Sequence, residues 1–245
     1  MKESEYRSIY SVEDAHWWYK GLRQIVFSSL KGAVSGRVFA LDAGCGTGAV
    51  LKRLLEEGHK AVGVDFSPTA LAFCAERGLT RLVRGSVSEL PFRDESFDAI
   101  VSLDVIYHAA VEDDVEALRE FRRVLRKGGV LILNLPAFEF LRSPHDLANQ
   151  TKRRYTKAML AEKLKSAGFS IERVTYRNAA LFPAIATVRL LKKASAAGHS
   201  KDSDLGKVNP VLNSALTGIL SLENVILRRL DMPFGSSVFS VARKA

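Results

Sequence analysis

Residues 41–48 read LDAGCGTG, three glycines at alternate positions directly behind the apolar run VFALD. Glycine is wanted where the backbone takes a positive φ, or where a ligand comes so close that a Cβ would clash. Loops that seat a dinucleotide pyrophosphate on a helix N-terminus space their glycines as G-x-G-x-x-G, with an acidic residue about 20 positions on. Here Gly44, Gly46 and Gly48 give G-x-G-x-G, Asp42 stands ahead of them, and Asp65 closes the next apolar run. The shorter spacing does not suit a pyrophosphate bridge, so a nicotinamide dinucleotide is disfavoured. A carboxylate ahead of the glycines suits a cation better than a phosphate, and Asp65 has the position for ribose hydroxyls. Together these residues point to S-adenosylmethionine, which carries an amino group and a sulfonium but no phosphate.

The elements that must position this loop follow from the pattern around it. From about residue 36 the chain repeats strand, loop and helix: VFALDAG then TGAVLKRLLEEG, KAVGVDFSP then TALAFCAERG, and LTRLVRGS as a third strand. SFDAIVSLDV is a fourth, before a helix on which Val115, Leu118, Phe121 and Leu125 recur at helical spacing. KGGVLILNLP is apolar without alternation, as a parallel strand buried on both faces would be. TKAMLAEKLKSAGF predicts a helix capped by Thr156, SIERVTY a sixth strand, and SSVFSVARKA an alternating last strand. Ahead of all these, residues 14–30 predict one amphipathic helix with Trp18, Leu22 and Ile25 on one face. Strands alternating with helices predict an α/β, doubly wound sheet, which binds ligands outside the carboxyl ends of its strands. LDAGCGTG lies at one of those ends.

The ordered set LDAGCGTG, VGVDFSP, GSVSELPF, FDAIVSLDVIYH and LREFRRVLRKGGVLILNLP resembles the successive motifs of class I S-adenosylmethionine-dependent methyltransferases. The nearest branch is the small-molecule one that includes the ubiquinone and menaquinone biosynthesis (type 11) enzymes. The likeness runs from about residue 36 to 175. It implies a Rossmann-like, mostly parallel seven-stranded sheet with an antiparallel last strand. It also implies site roles: Asp42, Gly44, Cys45 and Gly46 at the methionine part, Asp65 on the ribose and Phe66 beside the adenine. Ser86 and Val87 flank the adenine where many relatives have an aspartate, and Leu103 and Asp104 line the cleft near the sulfonium. HWWYKGLR resembles the entry helix that such enzymes fold over the cofactor. Tyr19 and Arg23 would there reach the methionine carboxylate and the acceptor, with Trp18 as core packing or acceptor wall.

The acceptor side is drawn from SPHDLANQTKRRYT, residues 143–156. Methyl transfer is an in-line displacement, and positioning alone removes much of its barrier. A base is needed only where the acceptor loses a proton. His145, with Asp146 beside it, is one candidate, His108 a second, and Tyr155 joins them; each has a purely structural reading as well. Arg153 or Arg154 would hold a carboxylate or phosphate bidentately, or make surface ion pairs. Residues 177–234 are expected to insert a helical lid before the last strand, with 1–35 as an N-terminal cap and 36–176 plus 235–245 as the cofactor-binding domain. Asn209 and Pro210 start the second inserted helix. On it Leu212, Leu216, Ile219, Ile226 and Leu230 predict a greasy inner stripe, with Glu223 in the seam as an ion-pair partner or an acceptor contact.

NLPAF at 134–138 differs from the Asn-Pro-Pro-aromatic signature of amino-group methylation and follows the fifth strand, not the fourth. Support for DNA-base or protein-glutamine methylation falls with it. The formal charge of +9, from 36 Lys and Arg against 27 Asp and Glu, fits either an anionic partner or a solvated basic surface. No basic run is interleaved with aromatics, so RNA is the weaker expectation against a small-molecule acceptor. A cofactor-binding regulator without turnover is the reading from outside enzymes. No apolar run nears the roughly 20 residues that cross a bilayer, and the N-terminus has no apolar core of a signal peptide. Cys45 and Cys74 make neither a disulfide framework nor a metal-ligand spacing, so no metal is expected and a cytoplasmic setting is. Peripheral membrane contact would run through the lid.

Overall fold

A computed structural model describes residues 3–143, 146–147, 149–194 and 208–245. Among the described residues seven strands form one sheet: β1 Phe39–Ala43, β2 Lys60–Asp65, β3 Leu82–Arg84, β4 Phe97–Leu103, β5 Leu125–Pro136, β6 Phe169–Arg177 and β7 Ser237–Lys244. Their order is β3-β2-β1-β4-β5-β7-β6. β1 to β5 pair in parallel, and β7 runs antiparallel between β5 and β6. This is the Rossmann-like sheet that the family resemblance implies. One consequence matters for function. Because β7 opposes both neighbours, β6 is parallel to β5, and its last residue, Arg177, falls on the same sheet edge as the ends of β1 and β4.

β5 shows why the sheet is central. Leu131, Leu133 and Leu135 enter one hydrophobic core, while Val130 and Ile132 enter the core on the opposite face. An apolar run without alternation is what such a doubly covered strand needs. The covering helices are α1 Glu3–Val12, α2 Trp17–Ala33, α3 Ala49–Glu56, α4 Pro68–Glu76, α5 Asp114–Val124, α6 Lys157–Ser166, α7 Phe182–Ala194 and α8 Pro210–Ile226. Their starts are written locally. Thr156 Oγ1 accepts the Met159 N–H at 3.3 Å, and Asn209 Oδ1 accepts the Val211 N–H at 2.9 Å ahead of Pro210.

Two expectations need correction. The N-terminus is two helices instead of one over 14–30, and His16 Nδ1 caps α2 by accepting the Trp18 N–H at 3.3 Å. α1 escapes the pattern because its core side includes a glutamate, Glu5, beside Tyr6 and Val12. On α8 most of the expected inner stripe faces outward: Leu212, Ile219, Ile226 and, just beyond the helix, Leu230 are exposed, while Leu216 is half-buried. α8 rests on α2 through Leu220 and through polar groups. Asn213 Oδ1 accepts the Trp17 N–H at 2.8 Å, and Asn224 Nδ2 donates to the Gly21 carbonyl at 2.8 Å. A Cβ on Gly21 would stand 2.6 Å from Leu220 Cδ1, so the close approach at that glycine decides which face turns inward. No helix among the described residues is long and apolar enough to cross a membrane.

Candidate active site

The glycine loop leaves β1 with Gly44, Gly46 and Gly48 at φ +79°, +53° and +89°, conformations that side chains disfavour. Their surroundings differ. A Cβ on Gly44 would lie 2.3 Å from Val105 Cγ2, and one on Gly48 2.7 Å from Leu79 Cδ1, whereas Gly46 has nothing within 4 Å. Gly44 and Gly48 are bare for the protein's own packing; Gly46 borders a hollow. Asp65 fixes that hollow's floor, with Oδ2 accepting the Gly46 N–H at 2.9 Å and Oδ1 the Ser67 N–H at 2.9 Å. Behind the loop Asp42 is buried, and its Oδ2 has no hydrogen-bond partner among the described residues. Burial pushes its carboxyl up to about 8, offset only in part by the Leu51 amide. An orphaned buried acceptor is costly. A ligand ammonium is the group that would complete it, and these residues therefore fit S-adenosylmethionine.

The hollow makes Gly46→Ala informative. The new methyl group meets no protein atom, so folding stability should drop only by the left-handed strain, about 1–2 kcal/mol. Affinity for S-adenosylhomocysteine, read by calorimetry, should fall by about 100-fold or more, because the methyl takes ligand space. Equal affinity would place the ligand elsewhere.

The N-terminal helices close this region. Glu13 accepts the Thr47 hydroxyl and, at 2.6 Å, an Arg77 N–H; Arg77 also donates to the Thr47 carbonyl at 2.7 Å and to Asp14 at 2.8 Å. The end of α1 is thus bolted onto the glycine loop. Glu13, Thr47 and Arg77 escaped sequence reading because nothing in their spacing joins them. Cys74 Sγ donates to the Gly46 carbonyl at 3.2 Å, and Cys45 and Cys74 are both free and buried. On the far wall Phe66 is exposed, with its ring 6.2 Å from that of His108. Val87 is buried and Ser86 exposed, its Oγ accepting the Ser88 N–H at 3.1 Å.

Along the same edge, Asp104 follows β4 at φ +57°, a strained position for a residue with a side chain. Asn134 of β5 holds it twice. Its Nδ2 donates to the two Asp104 carboxylate oxygens at 3.0 and 3.1 Å, and its carbonyl accepts the Asp104 N–H at 2.8 Å. Burial pushes the Asp104 carboxyl up to about 6, with the Arg177 charge and Asn134 drawing it back. Leu103, Trp18, Tyr19 and Tyr107 are half-buried. Tyr19 sits in the field of Glu13, Asp104 and Glu5, and burial raises its hydroxyl. Arg23 turns away, donating to the Asp14 carbonyl at 3.1 Å.

The expected acceptor residues are drawn into other bonds. Arg153 pairs with Asp114 at 3.0 Å, and the Tyr155 hydroxyl donates to Asp114 at 2.8 Å. Lys163 reaches the same carboxylate at 2.8 Å. Arg154 is buried between Asp146, at 2.8 Å, and the Ala137 carbonyl. Glu223 accepts the backbone N–H groups of Asn178 and Ala180 at 2.5 and 2.9 Å. His108 Nδ1 accepts the Ala110 N–H at 3.0 Å, and burial lowers its pKa. His145 lies outside the described residues. Tyr155 accordingly reads as a stabilising contact: Tyr155→Phe should lower unfolding free energy in urea by about 1–2 kcal/mol and leave S-adenosylhomocysteine affinity unchanged. A large loss of affinity would return Tyr155 to the cleft.

A family model described as a methyltransferase domain, type 11, matches residues 41–133. Solved structures share the fold over nearly the whole chain. One is an S-adenosylmethionine-dependent methyltransferase of Thermotoga maritima described as a possible histamine N-methyltransferase, with TM-score 0.62, 20% identity and 99% and 96% of the two chains covered. Another is the putative methyltransferase bound to the activator Trm112 of Haloferax volcanii, with TM-score 0.64, 19% identity and 99% and 93% covered. Residues 41–133 thus match a methyltransferase domain of the type 11 kind, and the fold is one that S-adenosylmethionine-dependent methyltransferases share.

Among sequence relatives, a probable S-adenosylmethionine-dependent methyltransferase of Mycolicibacterium smegmatis is 30% identical over 169 residues, 68% of this chain and 64% of that protein. The human probable tRNA methyltransferase 9B is 38% identical over 99 residues, 40% of this chain and 21% of that protein. The chain thus spans less than two thirds of these relatives.

Proposed function

We propose that this protein transfers the methyl group of S-adenosylmethionine to an oxygen, nitrogen or carbon of a small-molecule acceptor. The observation that carries this reading is the order of groups along one sheet edge: the bare Gly46 hollow with Asp42 and Asp65, then the strained Asp104 held by Asn134. The cofactor, when bound, supplies a methyl group on a sulfonium. Asp42 meets its ammonium and Asp65 its ribose, and the α1–loop clamp through Glu13 and Arg77 keeps water out. Asp104 faces the neighbouring space on β4, where its carboxylate accepts a proton from the attacking atom of the acceptor. Asp104 takes this role because Asn134 fixes its position and burial raises its carboxyl to about 6.

We read the two inserted helices, α7 and α8, as the acceptor lid. The outward apolar face of α8, with Leu212, Ile219, Leu222 and Val225 exposed, supports a lipid-like acceptor or contact with a membrane surface. RNA is the second reading, favoured by the +9 charge and by the likeness to tRNA methyltransferases. That likeness covers only 40% of the chain, so it says little of the acceptor. Tritiated methyl donor incubated with fractionated cell extract separates these outcomes. Label in a small organic product is expected; label in RNA would replace the small-molecule acceptor, and no label beside normal S-adenosylhomocysteine binding would mean a cofactor sensor.

A further inference from the structure

Arg177 is the unexpected group on the active edge. It ends β6, is 1% exposed, and none of its three guanidinium nitrogens has a hydrogen-bond partner among the described residues. A buried guanidinium stays charged and has five N–H donors to satisfy. Leaving them all unpaired is among the more expensive arrangements a protein can hold. Its charged neighbours do not relieve it. Asp104 and Glu223 feel its field, but Asp104 is taken by Asn134, and Glu223 accepts the Asn178 and Ala180 amides. Trp18 lies under the guanidinium, with the ring centroid 5.4 Å from Cζ. It covers one face and leaves the in-plane donor edges unused.

The base of this side chain is built to stay in place. A Cβ on Gly235 would fall 2.2 Å from the Arg177 carbonyl oxygen, so the chain before β7 presses on its backbone. Asn178, directly after it, is held at φ +59° and donates from Nδ2 to Ser236 Oγ at 3.2 Å. In the sheet order β1 and β2 position the donor, β4 and β5 carry Asp104 and Asn134, and β6 lies beyond them. A group bound to Arg177 therefore sits on the acceptor side of Asp104, away from the cofactor loop.

We propose that Arg177 is the acceptor-binding residue and that the acceptor is a small carboxylic acid, its carboxylate paired bidentately with the guanidinium over Trp18. This rests on the methyl-transfer reading and names the substrate class within it. A carboxylate matches the planar fork. Its single charge balances Arg177, whereas a phosphate dianion would bring a second negative charge up to the nearby Asp104.

The test titrates acetate and benzoate, with acetamide and benzamide as neutral counterparts, into the full chain saturated with S-adenosylhomocysteine. Melting temperature and the Arg177 15Nε chemical shift are the readouts. The carboxylates should raise the melting temperature saturably and move the Arg177 resonance, and the amides should do neither. Arg177→Met should weaken carboxylate binding by about 30-fold, as expected on losing a buried charged partner, with S-adenosylhomocysteine affinity unchanged. Arg177→Lys should restore part of the binding, which guards against a misfolded Met variant. Carboxylate binding equal in wild type and Arg177→Met, or no response in wild type, overturns the proposal. A response to inorganic phosphate that exceeds that to carboxylates overturns the substrate class. Calorimetry with S-adenosylhomocysteine on the wild type reads the donor assignment separately, so intact donor binding without a carboxylate response rejects Arg177 alone.

Discussion

Asp65→Ala is expected to abolish measurable binding of S-adenosylmethionine and S-adenosylhomocysteine. The carboxylate has two duties. It holds the Gly46 and Ser67 N–H groups at 2.9 Å each, which fixes the floor of the hollow, and in the proposed complex it takes the ribose hydroxyls. Hydrogen bonds to a charged group contribute roughly 1.5–3 kcal/mol each, so losing two ligand contacts weakens binding about 100- to 10,000-fold. Folding should suffer less, because burial pushes the Asp65 carboxyl up and makes the ionised form a burden on the empty protein. Calorimetry with S-adenosylhomocysteine at constant pH measures the effect. Normal affinity in the variant would remove the ribose assignment.

Asp104→Asn is expected to slow methyl transfer by about 100- to 10,000-fold, the usual worth of a positioned base, with cofactor affinity little changed. The wild-type rate should rise with pH through about 6, where burial has placed the Asp104 carboxyl, and level off above it. The variant should lack that limb. Linkage separates this from unfolding. The folded pKa lies above the ordinary aspartate value of 3.8, so the native state binds the extra proton between these values and its stability falls as pH rises through them. Asparagine removes that loss, and the variant should be at least as stable as wild type at pH 7. A normal rate in Asp104→Asn, or an unchanged acid limb, would exclude Asp104 as the base.

The cofactor half was legible in the sequence because its signals are local. Asp42 and the three glycines sit within eight residues, and KGGVLILNLP declares a doubly buried strand by composition alone. The acceptor half was not, for a physical reason visible in residues 143–156. Charges clustered in sequence drew attention, yet Arg153 and Arg154 find Asp114, Asp146 and backbone carbonyls, which leaves them bound within the protein. Arg177 carries no local signal. It ends an edge strand whose pattern, SIERVTYR, looks like any solvated arginine, and its isolation exists only once α2 brings Trp18 across. The α8 stripe misled in the same way: greasiness chose one face, and the close approach at Gly21 chose another.

The most direct test of the account is a crystal structure with S-adenosylhomocysteine bound. The account predicts the amino-acid end over Gly44–Gly46 with its ammonium at Asp42, the ribose on Asp65, and the sulfur turned toward Asp104. Density at any other place, or none at saturating ligand, would contradict it.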